Sequence, residues 1–231
     1  MNQPASIALS TFYRKAGWAA VASGAIGITA FGLLITAVTT RVSWIPSNRL
    51  NLLFNTHDIG VAFQFLLLIP VVFGLRTLSH QSPPELRKAA FATGKWALIL
   101  VVLLVMLGIG EKIISNGFYM LPQGIFGAWL MIVNWRLSGS LPWWLRWFGI
   151  IVGLGLVLTG VSFVGLCFVY PAMLAIPAVG PESVKEVNSA FNTFIHQLLF
   201  ISSFMGVATL PIWTILTGFK LLKERRLAIT A

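Results

Sequence analysis

Six stretches of this chain are apolar over roughly the length needed to cross a bilayer, and almost no charge interrupts them. A hydrocarbon core of about 30 Å takes about 20 residues of helix. The stretches lie near 17–39, 58–78, 89–110, 117–136, 145–169 and 194–219. Hydrophobic residues make up 57% of the chain and charged residues 10%, so the solvent for most of its surface is lipid. The fold class this dictates is all-α: a polytopic membrane protein, built as a six-transmembrane-helix bundle.

At 231 residues the chain is long enough for one bundle and too short for a bundle plus a sizeable soluble domain. No loop between the spans is long enough to fold alone, so residues 1–231 are read as a single integral membrane domain. The first 16 residues end in Arg14-Lys15. The apolar run after them is long for a signal-peptide core, so it is expected to remain as an uncleaved first helix.

The net charge of +10 is distributed asymmetrically. With alternating spans, Arg14, Lys15, Arg76, Arg87, Lys88, Arg136, Arg146, Lys220, Lys223, Arg225 and Arg226 share one side, and Arg41, Arg49, Lys112 and Lys185 the other. This is the positive-inside pattern, and it predicts a cell-membrane protein with both termini cytoplasmic. The bilayer is thus the first partner. No basic segment is interleaved with aromatic residues in a soluble context, so no nucleic-acid partner is expected. Cys167 is the only cysteine and lies in an apolar span, which leaves no disulfide and no thiolate metal site.

Small residues repeat at three- and four-residue steps in the first span (Gly17, Ala20, Gly24, Gly27) and the fifth (Gly149, Gly153, Gly160). Such stripes let helix backbones approach closely where lipid removes the usual hydrophobic drive. They serve packing inside the bundle or, on a second reading, a homo-oligomer or larger membrane complex. Pro70, Pro122 and Pro211 are expected to kink the second, fourth and sixth spans. Trp143, Trp144 and Trp147 gather beside Arg146 as an interfacial belt.

Polar residues are concentrated toward the predicted external side. Asn192 and His196 form one stripe at the start of the sixth span, and Gln197 belongs to the adjacent stripe. The second span begins there with His57, Asp58 and Gln64, the third ends with Glu111, and the fourth begins with Asn116, Tyr119 and Gln123. An unpaired amide or imidazole in hydrocarbon costs several kcal/mol, so these groups should face the bundle interior or water. The functional reading is an externally facing polar pocket that binds a small or lipid-like ligand. The plain reading is a solvated rim, with Asp58 serving as a helix N-cap behind Thr56.

The chain has three histidines, six acids and none of the phosphate-loop, dinucleotide or metalloprotease motifs, so no catalytic residue is expected. No cofactor is predicted. His57 and His196, at similar depth on different spans, are the one pair that could offer axial ligands to a haem.

The stretch Ser138 to Val161 (SGSLPWWLRWFGIIVGLGLVLTGV) and the tail Leu210 to Leu222 (LPIWTILTGFKLL), with the helix from His57 to Leu75, resemble an uncharacterised multi-pass bacterial membrane family. That family is a domain of unknown function, DUF4386-like. The resemblance implies six or seven helices and brings no activity and no site residues.

Overall fold

The computed structural model describes residues 3–40, 47–79, 88–109, 117–171 and 189–230. Among them every regular element is helical. In chain order these are α1 (Gln3–Thr40), α2 (Ser47–Ser79), α3 (Lys88–Ile109), α4 (Met120–Arg136), α5 (Trp143–Val169), α6 (Ala190–Ser203), a π-helical segment (Phe204–Ala208) and α7 (Leu210–Thr230). Five helical stretches are long and apolar enough to cross a membrane: Ser10–Thr39, Arg49–Ser79, Lys88–Ile109, Trp143–Val169 and Ala190–Glu224. The shorter α4 has 17 residues. This architecture fits a multi-pass membrane protein, and so does a surface that exposes Phe63, Leu103, Phe168, Phe200 and many residues like them.

Sequence neighbours pack against each other in antiparallel pairs, from α1 on α2 through α5 on α6, and α7 closes the ring against α1. Gly17 lies against Gly218 and Leu222, and Gly24 lies against Pro211 and Thr214. The start of α1 and the end of α7 are therefore at the same end of the bundle. The interior holds Phe65, Phe126, Phe163 and Trp213, all essentially fully buried. Phe65 and Phe126 meet edge to face at 6.1 Å, and Phe126 stacks on Trp129 at 5.3 Å.

Both glycine stripes are filled from within the chain. On α5, Gly149 receives Asn134, Gly153 meets Gly127 of α4, and Gly160 meets Gly124. On α1, Gly17, Ala20 and Gly24 face α7, while Gly27 receives the Gln64 amide. Where helices have no hydrophobic drive to associate, this backbone proximity supplies the van der Waals contact that holds them. Among the described residues these faces are internal seams.

The three prolines do different things. Pro70 is carried within the continuous α2. Pro122 is the third residue of α4, in the first turn, where a missing N–H has no intrahelical acceptor to disappoint. The expected mid-helix kink there gives way to a helix start. Pro211 is the second residue of α7, three residues past the end of the π-helical segment that divides the last crossing stretch into α6 and α7. A π turn widens the helix by one residue, and this one brings Gly206 onto the backbone of Gly155, where either glycine's Cβ would collide.

Candidate functional site

The register of the helices sets the depth of each polar residue. The Phe65–Phe126 contact levels α2 with α4, and at 1.5 Å rise per residue Gln64 and Gln123 then lie within about one turn of each other along the bundle. Gly160 against Gly124 levels α5 with them. The Thr159 Oγ1 lies 3.2 Å from Ser202 Oγ, sharing its one proton between that oxygen and its own helix, and adds α6 to the same layer. One buried polar layer thus crosses α2, α4, α5 and α6.

Within that layer two kinds of polar group occur. Hydroxyls are satisfied by their own helices: Thr159 donates to the Gly155 carbonyl at 3.0 Å, Ser162 to Leu158 at 2.8 Å, and Ser202 to Leu199 at 3.0 Å. Helix carbonyls three or four residues back always offer this outlet. Among the described residues, the glutamine amides in this layer make no such bond to their own helices. Gln64 is 4% exposed, and its amide rests on Gly27. Its main-chain carbonyl accepts from Ser23 Oγ at 2.9 Å. Gln123 is 2% exposed, and its Oε1 is buried with no hydrogen-bond partner among the described residues.

Further out on α2, His57 and Asp58 are 4% and 6% exposed. The His57 Nδ1 is 2.9 Å from the Ala30 carbonyl, and its Nε2 is 3.8 Å from Asp58 Oδ1. With Nδ1 carrying the proton, the imidazole donates to that carbonyl and turns its second nitrogen toward the carboxylate. The half-buried Tyr119, just ahead of α4, lies within electrostatic reach of Asp58. The N-cap reading of Asp58 is overturned. α2 starts at Ser47, so Asp58 is in its twelfth position, and Thr56 donates back to the Leu52 carbonyl as a mid-helix residue does.

The remaining expected site residues divide. Asn192 is buried on α6, and Ser189 caps that helix by accepting from the Asn192 N–H at 3.1 Å. His196 and Gln197 are exposed, with the His196 ring 6.5 Å from that of Tyr170. The cause is a notch: Gly165 of α5 receives Ile195, which fixes the rotation of α6. Ile195 and Ser202 then lead the inward face on one side of Asn192. His196 falls about 40° to the other side. Of the two histidines weighed as haem ligands, His57 is thus buried on α2 and His196 exposed on α6. Glu111 and Asn116 lie outside the described residues. Among those described, no group of three or more His, Cys, Asp or Glu side chains could hold a metal ion.

Nearer the other end, Asn134 stands out in the sequence, but its buried companions Tyr13, Thr214 and Thr217 do not. All four are essentially inaccessible, so the half expected to be poor in polar groups is not. Asn134 donates Nδ2 to Leu130 at 2.9 Å and sits on Gly149. Arg146 donates Nε to the Asn134 carbonyl at 3.0 Å and Nη2 to the Trp135 carbonyl at 3.2 Å, capping the end of α4. A signal for Thr159 and Ser162 existed, because they share with Gly155 a second small-residue face of α5, turned away from the Gly149–Gly153–Gly160 stripe. None existed for Tyr13, an aromatic in a stretch read as a flanking tail.

Compared with protein-family models, characterised proteins and solved structures, the chain matches none of them.

Proposed function

We propose that this is a six-span cell-membrane protein, both termini cytoplasmic, that binds a small or lipid-like ligand without transforming it. The ligand would enter from the external end and meet the amides of Gln64 and Gln123, with His57, Asp58 and Tyr119 nearer the mouth. The observation that carries this reading is the deeply buried Gln123, whose Oε1 has no hydrogen-bond partner among the described residues, at the level of the equally buried Gln64. A buried amide left unpaired costs about 1–3 kcal/mol, a penalty that a bound hydrogen-bonding guest would relieve. Both side chains are uncharged, so the guest itself would be a neutral donor and acceptor at that depth.

The test is to purify the protein and identify by mass spectrometry what it retains, comparing wild type with Gln64→Leu and Gln123→Leu. Under this reading each variant loses the retained compound at least about ten-fold, while its thermal stability holds or rises because an unpaired polar group has gone. Variants that become more stable yet keep an unchanged set of retained molecules would sink it.

A further inference from the structure

The seam between α4 and α5 has an outer side as well as an inner one. Gly127 and Gly153 bring the two backbones into contact, and the larger side chains flanking them leave a crevice of about 340 Å³. Met131, Ile132, Trp135, Arg136 and Ile150 line it. The lining is apolar until the last residue of α4, where Arg136 stands exposed at the end of the bundle that also holds the termini. Its neighbour Arg146 is committed to the carbonyls of Asn134 and Trp135. Arg136 itself has no ion pair or hydrogen bond among the described residues. Trp135 and Trp143 each meet Trp147 at 6.3 Å, and all three rings are exposed. Indoles so placed mark headgroup depth in a bilayer.

We propose that this crevice holds one acyl chain of an anionic phospholipid, with the lipid phosphate on the Arg136 guanidinium. The shape and the charge separately require the two halves of such a molecule. Met131 lies about 7 Å deeper than Arg136 along α4, so the apolar slot runs from headgroup level into the hydrocarbon. Arg136 offers a planar fork that matches phosphate oxygens in pairs. A zwitterionic lipid carries its own ammonium to the same place and so gains less. The site is on the outside of the bundle, and it does not depend on the interior glutamines.

Native mass spectrometry tests it on the purified full-length protein, delipidated in detergent and then supplied with phosphatidylglycerol or phosphatidylcholine of matched chains. The wild type should retain phosphatidylglycerol about five-fold better, the scale of one basic contact near a membrane surface. Arg136→Gln should bring the two lipids to near parity. Ile150→Trp, which fills the slot, should lower the retention of both. A preference that persists in Arg136→Gln, full retention in Ile150→Trp, or displacement by glycerol 3-phosphate lacking acyl chains would each overturn the assignment.

Discussion

At the residue scale, glycine decides where this bundle can be tight. Gly155 and Gly206 touch backbone to backbone, whereas Gly32 of α1 has open space where a Cβ would stand. Gly155→Val should therefore prevent the α5–π-segment contact and abolish recovery of folded protein, read by size-exclusion of a fluorescent fusion. Gly32→Ala should be neutral or stabilising by up to about 1 kcal/mol, because alanine is the better helix former. Arg146 makes a second residue-level case. Its two bonds to the last carbonyls of α4 replace partners that helix ends lack. Arg146→Ala is expected to destabilise by about 1–2 kcal/mol, measured as thermal unfolding in detergent, with charged hydrogen bonds setting that scale.

At the scale of elements, the last crossing stretch is two α-helices joined by a π turn, and the turn sets which faces look inward on either side of it. Thr159 and Ser202 meet only because α6 keeps its rotation. A double-mutant cycle of Thr159→Ala and Ser202→Ala should give a coupling of about 0.6 kcal/mol, the average for hydrogen bonds between membrane helices. Because the π turn takes up one residue more than an α turn, deleting Val207 would close it into a regular helix with α6 and α7 near their present rotation, whereas an alanine inserted within α6 after Ser203 would turn α6 by about 100° relative to α7. The coupling should survive the deletion and vanish in the insertion, and a cycle that keeps its value in the insertion background would show that this register does not depend on the rotation of α6. The amphipathic start of α6 was visible as a pattern of polar residues. Which edge of that pattern turned inward depended on the Gly165 notch, a feature of another helix far away in the sequence. His196 therefore looked like a core member of the site and is exposed, while Ser202, two turns deeper, lies in the polar layer.

At the scale of the whole molecule, the ring closed by α1 and α7 puts both chain ends at one end of the bundle. Reporter fusions at residue 1 and residue 231 should report the same compartment, and the excess of basic residues at that end makes the cytoplasm the expected one. A split result would contradict the ring order itself.

Composition and the spacing of apolar runs were enough to determine an all-helical, membrane-type chain, because a helix must match the thickness of the hydrocarbon whatever its neighbours are. They also carried the outward glutamine, histidine and aspartate candidates, since polar residues inside such runs are conspicuous. What only the tertiary structure decided is how each helix turns about its axis. That angle is fixed by contacts such as Ile195 in the Gly165 notch and Gly206 on Gly155. It depends on which small residue of one helix meets which side chain of another, and no single helix encodes it.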